Sequence, residues 1–400
     1  MSAPQIPNLH TLRRGVGRRG GRGRGVASGV AESNNETNQT RKDAIVQSTD
    51  TDAATSRLSA VEAGYLDDPF AKLLTHGGHV DRRLPLMNRG TYVRTVAIDR
   101  LVDEFLRSTR KCARQIISLG AGSDSRFFRL KTKYPDICLS YHEFDFPTNT
   151  AAKIHQMQNP SFAHSLKGLC NMDLPSSSTS LSNDGIQNDS FQLQADSCHY
   201  HLHPLDLRTL TNPKRNQDQI KQDLSRLGIS LDVPTLLLSE CCLIYLPPED
   251  ADSVLSYFTS AFHPAIPVAV VIYEPIRPHD AFGRTMVSNL TARGIHLQTL
   301  HAHDSLAAQK ERLGKHGLGS MAGKETGGAE AADIDFIWQT WIEEAEKERV
   351  EGLEWMDEVE EWRLLARHYC VAWGWRETSD NVNDSVFEPW GQLPMQDEEA

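Results

Sequence analysis

The chain has 400 residues, is 39% hydrophobic and carries a formal net charge of −11, so it is long enough to bury a full core as one large domain or two small ones. It holds no apolar run near the ~20 residues a membrane span needs, residues 1–15 lack the apolar stretch of a secretory signal, and the acidic balance argues against a nucleic-acid-binding core. Seven cysteines without regular spacing fit reduced thiols in a cytoplasmic protein better than a disulfide framework.

Residues 13–25 (RRGVGRRGGRGRG) comprise six Arg, six Gly and one Val, a composition that cannot pack a core. The expected organisation is a disordered Arg/Gly-rich leader over residues 1–50, then a single domain over 51–400. The leader is read as a solvated tail; contact with RNA or methylation of its arginines is the less favoured alternative. Order is expected from near Asp52. Thr55 to Leu74 has helical spacing, broken at Tyr65 to Phe70. Thr91 to Leu106 is amphipathic, with Tyr92, Val96, Leu101 and Phe105 at helical intervals.

Gln115 to Leu119 is a short apolar strand ended by Gly120-Ala121-Gly122, and helical spacing resumes at Ser125. A second strand, Leu139 to Phe144, runs into Asp145-Phe146-Pro147 and a helix to about Gln158. This strand–helix–strand–helix order predicts a parallel sheet. Residues 170–196, rich in Ser, Asn and Asp, are expected to form a flexible surface insertion. Tyr200 to Leu205 is a third strand ended by Asp206-Leu207, and Thr209 to Leu227 is helical. Pro234 to Ser239 is an apolar fourth strand ended by Glu240. A helix with proline and acids in its first turn, Pro247 to Ala261, follows. Pro267 to Tyr273 is a fifth strand and Ala281 to Arg293 a helix. Glycine-rich residues 314–330 are expected to be loop, Glu343 to Leu365 one or two helices, and Arg367 to Trp375 a last strand.

The turn at Gly120 suits a ligand that approaches the backbone, because a Cβ there would collide with it. Taken alone, Gly-x-Gly is a weak signal, and Ser125 stands where a dinucleotide fold wants a third glycine. The strand ends sharpen it. Ligands of open parallel sheets bind outside the carboxyl ends of the strands, and those ends offer Gly120, Asp145, Asp206 and Glu240. An acid after the second strand can accept from ribose hydroxyls, one after the third from an adenine amino group, one after the fourth from an ammonium. Three acids suit a cationic sulfonium nucleoside, S-adenosylmethionine, better than a pyrophosphate. Each acid singly is as easily a helix cap. Glu143 rivals Asp145, which lies nearer the strand end and is preferred. Arg57 and Arg94, each on a helix ahead of the first strand, could grip a carboxylate, although each alone reads more simply as a surface charge. Cys198, His199, His201 and His203 look like a metal cluster, but successive same-face residues of one strand lie ~6.5 Å apart, wide for zinc, so no metal is expected.

Several blocks together resemble the leucine carboxyl methyltransferase family: Asn88-Arg89-Gly90 with Arg94, QIISLGAGSDSRFFRL at 115–130, EFDFP at 143–147, Asp206-Leu207, PTLLLSECCLIYLPPE at 234–249, IYEP with Phe282-Gly283 at 272–283, and Arg367 to Cys370. The resemblance spans about residues 52–376. It implies an α/β fold, a class I methyltransferase-like doubly wound seven-stranded sheet with extra N-terminal helices and a helical insertion. It implies S-adenosyl-L-methionine as cofactor, contacted by Arg57 (where lysine is usual), Arg94, Gly120, Asp145, Asp206, Leu207 and Glu240, with Tyr245 facing the transfer site. It also implies methylation of the C-terminal leucine carboxylate of the protein phosphatase 2A catalytic subunit, by an enzyme expected to be monomeric and cytoplasmic, without membrane or nucleic-acid partners unless through the leader. The leader, residues 170–196 and the glycine-rich 314–330 depart from the family and bear on protein docking rather than on the cofactor. A branch acting on transfer RNA carries a long C-terminal propeller and is disfavoured.

An ionised carboxylate needs no general base to accept a methyl group. Alignment of acceptor, methyl and leaving sulfur can supply ~7–11 kcal/mol in favourable cases, and Arg94 with Tyr245 is the expected aligning pair. Two rivals remain: a small-molecule carboxyl or hydroxyl methyltransferase of the same fold, and a catalytically silent module that binds phosphatase or RNA.

Overall fold

The computed structural model describes residues 31–75, 82–107, 113–167, 191–195, 198–212, 215–319, 327–377 and 385–397. Contacts divide the chain into residues 1–41 and residues 42–400. The Arg/Gly run at 13–25, most of the Ser/Asn-rich insertion and residues 320–326 lie outside the described set. In the first unit, residues 31–41 are helical; all that follows concerns the second.

Eight strands form one sheet: β1 (Arg114–Leu119), β2 (Leu139–Asp145), β3 (Phe191–Ala195), β4 (Cys198–Pro204), β5 (Thr235–Glu240), β6 (Val268–Pro275), β7 (Gly327–Asp333) and β8 (Tyr369–Arg376). Their order is β3-β4-β2-β1-β5-β6-β8-β7. The pairs β4·β2, β2·β1, β1·β5 and β5·β6 are parallel, whereas β3 and both pairings of β8 are antiparallel. Setting β3 aside leaves the seven-stranded doubly wound order implied by the family resemblance. Strand order reverses at β1/β5, which fixes the crevice for a ligand there.

The helices are α1 (Ala31–Glu62), α2 (Ala71–Leu74), α3 (Pro85–Arg107), α4 (Arg126–Lys133), α5 (Pro147–Met157), α6 (Pro160–Lys167), α7 (Gln217–Arg226), α8 (Pro248–Thr259), α9 (Ala281–Ala292), α10 (Leu306–Lys315), α11 (Ile334–Thr340), α12 (Glu344–Glu351) and α13 (Val359–Arg367). Period-2 alternation splits the sheet's side chains between two cores. Ile116, Leu236, Leu238 and Val271 face α3, α11 and α13; Ile117, Leu237, Val270 and Ile272 face α8 and α10. On α3, Tyr92, Val93, Ala97, Ile98, Leu101, Val102 and Phe105 are buried, a stripe at the spacing the sequence shows. No helix among the described residues is long and apolar enough to cross a membrane.

Four expectations change. Order does not wait for Asp52: residues 42–50 belong to α1, whose polar face meets the polar strand ends and so shows no apolar stripe. Part of the insertion, residues 191–195, is edge strand β3. The helix expected over Thr209 to Leu227 is a 3₁₀ turn at Leu207–Leu210 and then α7, begun by a capping box between Asn216 and Gln219. The supposed glycine-rich loop at 314–330 contains the start of β7. Gly328 lies against the indole of Trp375, where a Cβ would overlap the ring, so the glycines that suggest a loop permit a strand instead.

Candidate active site

The site is built where β1 stops. Gly120 and Gly122 take left-handed φ angles of 64° and 47°, a conformation that favours glycine. A Cβ on Gly120 would lie 2.5 Å from Cys242 Sγ. Gly120 N–H donates to the Phe144 carbonyl at 2.8 Å, which ties the turn to the end of β2. The Asp145 carboxylate then accepts from Gly122 N–H and from Phe146 N–H, each at 2.7 Å, and from Asn149 Nδ2 at 3.0 Å. Burial pushes the Asp145 carboxyl up to about 6, against those backbone donors. Glu143 is engaged elsewhere: it pairs with Lys153 and accepts from Tyr200 OH at 2.7 Å, fully buried. Of the two acids, Asp145 is the one at the turn.

Glu240, at the end of β5, accepts from Arg94 Nε at 2.9 Å and pairs with Arg126 Nη1 at 2.7 Å. Arg126 also pairs with Asp124 at 2.7 Å and Asp99 at 3.0 Å. The Arg94 guanidinium lies 4.9 Å from the Tyr273 ring centre. Thus Arg94, Arg126 and Glu240 are one network beside the glycine turn, in a part-buried setting where charge-assisted bonds are strong. Arg57 stands one residue back: it donates to Asp68, which also accepts from Ser125 Oγ in the turn. Its Nη2 is buried without a hydrogen-bond partner.

Asp206 caps the 3₁₀ turn after β4 by accepting from Arg208 N–H at 3.0 Å, and Arg208 joins it to Asp43 of α1 at 2.9 Å. The Leu207 side chain is in the core beside α8, so only its main chain could meet a ligand. Tyr245 ends the 3₁₀ turn Leu243–Tyr245, and burial raises its hydroxyl well above the usual range.

The residues that sequence reasoning missed lie mostly on α1. Asp43 meets Arg208, Gln47 accepts from Thr148 Oγ1 at 2.8 Å, and Asp50 accepts from Ser123 N–H and Oγ at 2.7 Å each. These three positions, i, i+4 and i+7, share one helical face, and that polar spacing was the available signal. The strap therefore crosses the ends of β1, β2 and β4.

A family model described as leucine carboxyl methyltransferase matches residues 45–259. The chain is 50% identical over 413 aligned residues to leucine carboxyl methyltransferase 1 of Emericella nidulans, covering all of both chains. It is 51% identical to the protein of the same name from Aspergillus fumigatus, with 99% of each covered. Among solved structures, a DUF574 family protein from Streptomyces avermitilis superposes at a TM-score of 0.40 with 13% identity, over 81% of this chain and 97% of that one. On the family match and the full-length identity, this chain belongs to the leucine carboxyl methyltransferase family and is a carboxyl methyltransferase.

Proposed function

We propose that this protein methylates the C-terminal leucine α-carboxylate of the protein phosphatase 2A catalytic subunit, using S-adenosyl-L-methionine. The observation that carries the reading is the alignment of Gly120, Asp145 and Glu240 along one sheet edge, with Asp206 at the neighbouring strand end. The residues fit that cofactor. Arg57 Nη2 is a buried donor without a partner, Gly120 and Gly122 leave no room for a Cβ, and the Asp145 carboxylate stands directly on the turn. When bound, the cofactor supplies a methyl group on a positively charged sulfur.

In this reading Asp145 accepts from the ribose hydroxyls, Asp206 and the Leu207 main chain hold the adenine, and Glu240 receives the ammonium. Gly120 lets the nucleoside approach the backbone. Arg57 and Arg94 grip the cofactor's carboxylate, and Arg94 with Tyr245 orients the incoming leucine carboxylate. That acceptor is ionised at neutral pH, so the chain's task is to align it and exclude water. A hydroxyl acceptor would need a base, and among the described residues none of the groups placed around the transfer site is a histidine. The protein is proposed to act in the cytoplasm as a monomer.

The test is transfer of labelled methyl to the phosphatase catalytic subunit with and without its terminal leucine. Label is expected only on the intact subunit; label that survives loss of the leucine would sink the substrate assignment. Calorimetric binding of the cofactor separates an enzyme from a silent fold.

A further inference from the structure

Three histidines on the opposite side of β2 and β4 from Tyr141 and Tyr200 are not used by the transfer reaction. Register places His142 of β2 opposite His201 of β4, and Phe144 opposite His203. The cross-strand spacing of a sheet, ~4.8 Å, is shorter than the same-face spacing along one strand. His142 thereby supplies the close neighbour that His201 and His203 cannot give each other. A ring nitrogen from each of the three lies within 4.8 Å of the other two. His142 Nδ1 and His203 Nε2 are 3.1 Å apart. Tetrahedral zinc, with Zn–N of ~2.0–2.1 Å, wants ligand nitrogens about 3.4 Å apart.

We propose that His142, His201 and His203 form a binding site for one divalent transition-metal ion of the zinc class. One further observation points to a ligand. Nδ1 of His201 is buried and has no hydrogen-bond partner, and His203, 2% exposed, turns Nε2 toward His142.

The rings stack nearly parallel, 5° between His142 and His201 and 7° between His142 and His203. Ligation therefore requires rotation about Cβ–Cγ, chiefly by half-buried His201. Gly228 leaves room beside it: even a Cβ there would lie 3.6 Å from His201 Cε1. The His142 Nδ1 position opens when its proton shifts to Nε2, which faces Ser140 Oγ at 2.9 Å. The ligands stay neutral and no proton is lost. Water takes the fourth position. The ion would tie β2 to β4 just before Asp145 and Asp206.

The test uses the untagged full chain, stripped with chelator and titrated with Co2+. The expected result is one equivalent bound, with the intense visible absorption of a tetrahedral ion, bleached by Zn2+. The absorption is lost in His201→Gln and kept in His199→Gln, and Zn2+ raises the melting temperature of the wild type and of His199→Gln but not of His201→Gln. Absence of the band in folded wild type, or an unchanged band in His201→Gln, overturns the site. Should His201→Gln fail to fold, diethyl pyrocarbonate labelling of wild type decides: Zn2+ must protect His201, and unprotected labelling counts against the proposal.

Discussion

Arg94 is placed by two contacts of different kind, the carboxylate of Glu240 at 2.9 Å and the ring face of Tyr273 at 4.9 Å. Removing it leaves Glu240 with Arg126 as its remaining partner and, in the proposed reading, leaves the cofactor's carboxylate ungripped. A hydrogen bond to a charged group is worth ~1.5–3 kcal/mol, so Arg94→Ala should lower transfer by about 10- to 150-fold. Arg94→Lys should recover only part of it, because an ammonium cannot form the paired bonds of a guanidinium. Steady-state kinetics with labelled cofactor measures both; full activity with normal cofactor affinity in Arg94→Ala would remove its role. Asp145 makes a pH prediction. Its folded carboxyl stands at about 6, raised by burial, against an ordinary value near ~3.9. Its proton therefore favours the folded state below the ordinary value, and that contribution is lost as pH rises through about 6. In the proposed reading ribose hydroxyls donate to the ionised form, so cofactor affinity should be full above pH 6 and weaken by up to about tenfold per unit below it. Asp145→Asn should bind weakly at every pH and flatten that profile in calorimetry.

Among the elements, α1 differs most from what the sequence suggests. An amphipathic helix announces itself by an apolar stripe, as α3 does with Tyr92, Val93, Leu101 and Phe105. The portion of α1 from 42 to 50 has none, since it docks through Asp43, Gln47 and Asp50 onto loop backbone and polar side chains. Such a latch should open locally more easily than the core. Asp50→Ala removes the acceptor for Ser123 N–H and Oγ, a loss of ~1–2 kcal/mol. Amide hydrogen exchange over residues 42–50 should quicken by roughly 5- to 30-fold, while exchange in β1 and β5 stays slow. Equal acceleration in the sheet would mean that Asp50 supports the whole fold and is no latch. β1 and β5 were legible because each is a short apolar run that ends at Gly120 or Glu240. β7 was not, because Gly328 is small to admit the Trp375 ring, and Gly327 to admit the Gly319 and Trp375 carbonyls, rather than to form a turn. Of the site, Gly120, Asp145, Asp206 and Glu240 could be read from strand ends. Arg126 and Asp50 could not, since their roles arise from partners that the fold brings from distant positions.

At the scale of the molecule, the two cores are joined through a sheet that must also carry charge. Most buried ions near the site belong to multi-membered networks, such as Arg126 with Glu240, Asp124 and Asp99. Glu274 of β6 and Arg312 of α10 form an ion pair with both side chains fully buried, 2.9 Å apart, in the layer where α10 packs on β7 and β8. Desolvation of the two charges offsets much of their attraction, so such a pair adds little net stability but is costly to break. Arg312→Met should therefore destabilise the protein by about 3–5 kcal/mol, because Glu274 keeps its charge in an apolar layer. The double replacement Arg312→Met with Glu274→Gln should recover most of that loss, since only a neutral amide then remains to be satisfied. Urea unfolding of the two singles and the double, followed by tryptophan fluorescence, gives the coupling energy directly. Additive losses would show that Glu274 and Arg312 act separately, and that α10 is held by its apolar face, through Leu306 and Leu313, rather than by the pair.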